Sequence, residues 1–263
     1  MINFLLNADD FGISSAVNES INRCFQQHLL QKTSIMVNMP CSEAATNIAF
    51  KNGFDKKVGL HINLTEGYPL TDAIKSTLFC DEYGKFTSNG RKTINRIFLD
   101  SEVKDAVGKE VEAQCKKYID CGFTLLHCDS HQHIHTSISL VNIIISILEE
   151  YNFQSVRICR NIPINQIRGL KKSYKEIVNK KLGYFNSTHN NNNMAFEYFG
   201  SMTDAEQSIG EYRLSGKRIE VMTHPGIITN GQIIDILNNK NLTLWCKKYD
   251  KNIIFGDSDY EKL

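Results

Sequence analysis

Short apolar runs rich in Ile, Val, Leu and Phe alternate along this chain with longer stretches whose apolar positions recur every three or four residues. The runs at 2–7, 33–39, 58–64, 123–128, 155–160, 218–222 and 252–255 predict strands. The stretches at 16–27, 42–51, 102–120, 139–151, 167–182, 204–214 and 231–237 predict helices. In the first of these, Val17, Ile21, Cys24 and Phe25 share one face, and Ser14 or Ser15 is placed to cap it. Strand–helix alternation of this kind builds a parallel sheet. About seven such units, with no break in composition, predict an α/β fold in one domain over 1–263: a closed or slightly incomplete, TIM-like (β/α) barrel. Two segments fall outside the alternation. A Gly- and Pro-punctuated stretch from 65 to about 92 reads as a functional loop, and the Asn-rich 186–193 as a polar, mobile one.

Charge narrows the class of partner. With 30 basic and 29 acidic residues the net charge is +1, which offers no broad basic face to nucleic acid or an anionic membrane. No apolar run reaches the roughly 20 residues of a membrane span, and the N-terminal "MINFLLNADD" lacks the features of a signal peptide, so a cytoplasmic protein acting on a small molecule is expected. The eight cysteines are scattered without a C-x-x-C pair and read as reduced core thiols. A homodimer is the default assembly.

The unusual polar residues sit just past the predicted strand ends: Asp9 and Asp10, His61 in "GLHINLTEG", the cluster "HCDSHQHIH", and "THPG" at 223–226. In parallel α/β folds this rim is where ligands bind. Taken singly, an Asp pair after a strand is a turn or cap, His61 a buried histidine, and "THPG" a turn. The cluster is different, because His127, His131, His133 and His135 fall within nine residues beside Asp129, a density that points to a metal. Side chains alternate in extended chain, so not all four imidazoles can be ligands and some must orient the others.

The motifs "NADDFG", "GLHINLTEG", "HCDSHQHIH" and "THPG", in this order, resemble the YdjC-like carbohydrate deacetylase family, which contains chitooligosaccharide and hopanoid-associated deacetylases. The resemblance runs from residue 1 to about 226. It implies a distorted (β/α) barrel and metal-dependent removal of an N-acetyl group from an amino sugar. Carried over by position, Asp10, His61 and His131 are the metal ligands, Asp9 the base and His224 the acid. The resemblance implies magnesium, whereas two imidazoles and a carboxylate suit zinc or another transition ion.

The residue types fit that chemistry. Two imidazoles and one carboxylate leave open positions on a divalent ion, a second carboxylate can take a proton from water, and a histidine can return one to the leaving amine. Asp129 and His133 are candidates to orient ligands, and Arg157 and Arg160 to reach a sugar hydroxyl or the oxyanion, although a structural ion pair explains either arginine equally. Phe11, Tyr68 and Phe86 are candidate sugar-stacking faces or simply packing. Two other functions compete: a metal-dependent phosphoesterase, which would favour two metals and a more basic pocket, and a non-catalytic carbohydrate- or metal-binding module, which would need neither Asp9 nor His224.

Overall fold

In β1 (Asn3–Phe11), Phe4, Leu6 and Ala8 are fully buried against aliphatic and aromatic side chains, while Asn7 and Asp9 on the opposite face are just as buried yet polar. A strand covered on both faces lies inside a layered α/β structure, and here one of its covered faces is hydrophilic. The computed structural model, described over residues 2–87, 99–164, 169–189 and 195–253, places β1 in a sheet of seven parallel strands. The others are β2 (Lys32–Ile35), β3 (Val58–Ile62), β4 (His127–Ser130), β5 (Ser155–Val156), β6 (Tyr198–Ser201) and β7 (Arg218–Thr223). Their order, β5-β4-β3-β2-β1-β7-β6, is that of a barrel cut once, between β5 and β6. The expected barrel is therefore present in its incomplete form.

Helices α1 (Ser15–Gln26), α2 (Ser42–Lys51), α3 (Ser101–Asp120), α4 (Val141–Glu150), α5 (Gly169–His189) and α6 (Met202–Ser208) connect the strands. Ser14 caps α1 by accepting from the Val17 amide at 3.3 Å. In α3, Glu110 and Gln114 lie on the buried face, a costly placement that hydrogen bonds offset. Glu110 accepts from the amides of Leu70 and Thr71, and Gln114 exchanges two bonds with the backbone of Asn63. The long segment after β3 is thus pinned to the helix layer over this stretch.

Asparagine side chains line the cut. On β5, the Val156 amide donates to Asn186 Oδ1 at 2.8 Å and the Val156 carbonyl accepts from Asn186 Nδ2 at 2.9 Å. Farther along, Asn179 Oδ1 accepts from the Cys159 amide at 2.7 Å. On β6, Asn161 donates its amide to the Phe199 carbonyl (3.1 Å), accepts from the Phe199 amide on Oδ1 (2.9 Å) and donates Nδ2 to the Glu197 carbonyl (2.7 Å). A primary amide offers the same donor and acceptor as a peptide unit, so among the described residues these three stand in for a strand neighbour at each edge.

Some predicted elements differ. The stretch 231–237, expected as a helix, contains β9 (Gln232–Asp235), paired with β8 (Pro225–Thr229), which in turn leaves β10 (Lys240–Asn241) on the far side of β9. The turn is Asn230-Gly231, both at positive φ, the pair that most favours a two-residue hairpin; the isoleucine spacing concealed it. The predicted helix at 204–214 ends at Ser208, before Gly210 at φ +85°, and α7 (Leu242–Lys248) follows the hairpin. Strand β6 was not expected, because it is short and contains Gly200; a Cβ there would lie 2.5 Å from Ile162 Cγ1, so only glycine permits the packing. Of the Asn-rich segment, 186–189 closes α5 and 190–193 lies outside the described residues, as does 254–255 of the last predicted strand, although Ile253 bridges Phe4.

The eight cysteines are all free, five of them buried. No helix among the described residues is long and apolar enough to cross a membrane. Replacing Asn186 with Leu is expected to destabilise the fold by about 3 kcal/mol, since it strands a buried N–H and C=O on β5. Urea unfolding measures this, and an unchanged midpoint would show that the edge needs no substitute partner.

Candidate functional site

Adjacent residues on a strand point to opposite faces, so Asp9 and Asp10 can share a site only if the backbone breaks from the extended form between them. It does so at Asp10, whose φ of +68° is left-handed and coincides with a register shift in the β1–β2 pairing between Ala8 and Phe11. Aspartate tolerates this conformation better than most residues. The turn brings Asp10 to the rim, where its Oδ1 lies 3.1 Å from His61 Nε2 on β3 and 2.8 Å from His131 Nδ1 just past β4.

These three residues can hold a metal ion, since their donor atoms all lie within 4.8 Å of one another. The hydrogen bonding of His61 tests the fit. Its Nδ1–H is committed to Asp129 Oδ1 at 2.6 Å, which turns the buried Nε2 toward the Asp10 carboxylate. A ring lone pair cannot rest against a carboxylate oxygen unless positive charge stands between them. Without a metal that charge is a proton: burial would lower the pKa of His61, yet Asp129 and the bond to Asp10 raise it to about 10. Burial likewise pushes the Asp10 carboxyl up, but the bonds from His131 and His61 outweigh it and hold it well below the usual range.

Arg157, fully buried, organises the layer beneath. Its Nη1 and Nη2 donate to the two oxygens of Asp9 at 2.7 and 2.8 Å, Nη2 also pairs with Asp129 Oδ2 at 2.7 Å, and its guanidinium carbon lies 4.6 Å from the Phe199 ring centroid. Asn7 Nδ2 adds a bond to Asp9 at 2.8 Å, and Ser34 donates to Asp129 at 2.9 Å. Burial raises the Asp129 carboxyl, but Arg157 and His61 overcome this and hold it well below the usual range. His224 faces Asp9, Nε2 to Oδ2, at 4.0 Å. Its backbone is fixed by Asp235 of β9, which accepts from the His224 amide at 2.6 Å and from the Thr223 hydroxyl at 2.7 Å.

The histidine cluster divides its work. His131 reaches Asp10. His133 takes a left-handed backbone (φ +57°) and packs edge-on against Phe199, its pKa lowered to about 4 chiefly by burial. His135 accepts from Ser130 Oγ at Nδ1 (2.5 Å) and donates Nε2–H to the Arg157 carbonyl (2.9 Å), steadying the arginine's backbone. His127 points into the barrel and bonds Ser155 Oγ at 2.8 Å. Arg160 is not drawn into this constellation; it pairs with Asp204 at 2.5 Å, at the start of α6. Phe11 and Phe86 are buried in the core, whereas Tyr68 is exposed at 54%.

Asn7, Lys32, Ser34, Glu220 and Asp235 also support the site, and motif reading passed over them. For Asn7 the signal is the two-residue period, since it precedes Asp9 by two positions on one inward face of β1.

The YdjC-like protein family model matches residues 3–251. The chain belongs to the YdjC-like family. A carbohydrate deacetylase of Clostridium beijerinckii is 25% identical over 91% of this chain and 96% of its own. That of Thermoanaerobacter pseudethanolicus is 27% identical over 85% and 81%, and that of Vibrio cholerae is 35% identical over 56% of each chain. A crystal structure from Enterococcus faecalis V583, named for cellobiose-phosphate cleavage, superposes with a TM-score of 0.67 at 17% identity over 99% of this chain and 98% of its own, a likeness of fold.

Two predictions come from these contacts. Asp129→Asn is expected to weaken zinc binding about 10- to 100-fold, as loss of an orienting partner typically does; equilibrium dialysis checks this, and undiminished affinity counts against the orienting role. The second concerns acid. Burial keeps His135 down at about 3, and burial with Lys32 holds His127 below 6.5. Below an unfolded histidine pKa of about 6.5 the unfolded chain binds protons that the native state refuses, so stability falls as pH drops from about 6.5 toward 4, at about 1.4 kcal/mol per unit for each such group. Urea unfolding of metal-stripped protein at pH 7, 6 and 5 measures it, and a level midpoint contradicts it.

Proposed function

We propose that this protein is a metal-dependent carbohydrate N-deacetylase that hydrolyses the acetamido group of a small amino sugar, of the diacetylchitobiose or chitooligosaccharide type, and releases acetate. The observation that carries the reading is that Asp9 and His224 face each other beside the Asp10, His61 and His131 cluster. The deacetylase names of relatives aligned over most of the chain support it.

Asp10, His61 and His131 would hold the cation, with magnesium favoured by family resemblance and zinc by the nitrogen-rich donor set. Once bound, a divalent ion supplies Lewis acidity, polarising the acetyl carbonyl and making water acidic near neutral pH. Asp9 takes the proton as water adds to the carbonyl carbon, its carboxylate held in place by Arg157 and Asn7. His224 gives a proton to the sugar nitrogen as the C–N bond breaks, leaving acetate and a free amine. Both oxygens of Asp9 are gripped by Arg157, so the base is presented in one orientation.

The arrangement speaks against a two-metal phosphoesterase. The other donor group with suitable spacing, Asp9, His61 and Asp129, shares His61 with the first, and both its carboxylates are already paired with Arg157.

The test is acetate release from diacetylchitobiose by metal-stripped protein reloaded separately with magnesium, zinc, manganese or cobalt, alongside metal analysis of variants. Asp10→Ala, His61→Ala and His131→Ala are expected to fall from one ion per chain toward none. Asp9→Asn is expected to keep the ion and lose at least about 10²-fold in kcat. Equal metal loss in all four variants would undo the division of roles, and tight binding without acetate release would remove this sugar from consideration.

A further inference from the structure

Arg157, which holds the proposed base, stands in a mechanically exposed place. It directly follows β5, a two-residue strand at the cut in the barrel, paired through the ladder with β4 alone. Its side chain nevertheless has to keep a guanidinium plane in register with a carboxylate on β1. A buried arginine at a strand edge can swing about its Cδ–Nε bond, and here Asp129 competes for the same Nη2 at 2.7 Å.

Glu220 stops that motion. It lies within β7, paired on one side with Leu5 of β1 and on the other with Phe199 of β6, so its backbone is held by two strands where that of Arg157 is held by β4 and the His135 side chain. Glu220 Oε1 accepts from Arg157 Nε at 3.1 Å and from Nη2 at 3.0 Å. The guanidinium therefore uses two forks at once: Nε and Nη2 side-on to Glu220, and Nη1 and Nη2 end-on to Asp9. With Phe199 beneath the plane, the side-on fork fixes its rotation and the end-on fork transmits that orientation to Asp9. Glu220 touches neither the three candidate ligands nor the rim.

We infer that Glu220 is a positioning residue for the hydrolytic base, acting through Arg157 across the cut in the barrel. The inference deepens the deacetylase reading and rests on it. Losing the side-on fork lets the guanidinium turn toward Asp129 and leaves Asp9 with one bond to Arg157 where it had two. Misplacing a group at the reacting centre by about 1 Å costs on the order of 10²-fold in rate.

Glu220→Met keeps the bulk and removes the acceptor, while Glu220→Gln keeps an acceptor oxygen and removes the charge. With the metal-loaded protein and diacetylchitobiose, Glu220→Met is expected to lose about 10²-fold in kcat with KM and metal stoichiometry unchanged, and Glu220→Gln to recover to within about 10-fold of wild type. A kcat at the wild-type value in Glu220→Met, whatever its thermal stability, overturns the proposal. Should Glu220→Met fail to fold, Glu220→Gln decides: a kcat reduced several-fold at unchanged KM supports the role, and an unreduced kcat overturns it. If the wild-type protein releases no acetate with any cation, it is the deacetylase reading that fails. The positioning role is then settled by a crystal structure of Glu220→Gln, in which a lengthened or single-bonded Arg157–Asp9 pair supports it and an unaltered bidentate pair overturns it.

Discussion

One buried guanidinium governs the interior of this barrel. Arg157 meets carboxylates from β1, β4 and β7, and removing it would take from Asp9, Asp129 and Glu220 the one cation that all three buried groups share. Such a network is poor evidence for stability, because well-packed apolar residues of the same volume stabilise a core at least as well. Two of the carboxylates it holds, Asp9 and Asp129, have donor atoms within 4.8 Å of those of His61. The polar faces of several strands, which look wasteful in a folding argument, then serve to aim the groups at the rim.

The two layers of the interior divide the electrostatic work. The upper carries Asp10 with His61 and His131, a donor set suited to a cation. The lower carries Glu220, Lys32 and His127, in which burial depresses the lysine and the histidine while Arg157 and Lys32 keep the glutamate well below the usual range. Asp129 joins the layers, since one oxygen holds His61 and the other meets Arg157. A change at either layer therefore reaches the other through a single side chain.

Much of this was legible in the sequence where the signal is local. Alternating strand and helix patterns pointed to the parallel sheet and the incomplete barrel, and the density of histidines after β4 marked the rim. The family resemblance, which the match over 3–251 bears out, singled out residues the structure draws together: Asp9, Asp10, His61, His131 and His224. What escaped notice depends on neighbours far along the chain. Glu220 reads as one acid in a buried strand until Arg157, 63 residues earlier, is beside it. The hairpin at 225–235 was hidden because isoleucines suit either element, and only Asn230-Gly231 distinguishes them. Arg160, similar to Arg157 in sequence context, differs because its partner is the carboxylate that caps α6.

The amides along the cut have a consequence of another kind. An open sheet presents two rows of peptide groups that can template the growth of a sheet from one molecule to the next, and a barrel usually avoids this by closing. Here Asn161, Asn179 and Asn186 occupy peptide groups of Val156, Cys159, Glu197 and Phe199 that an invading strand would need. Among the described residues the barrel thus does without its last strand and still withholds these groups from self-association, at the cost of three side chains that must keep both their length and their amide.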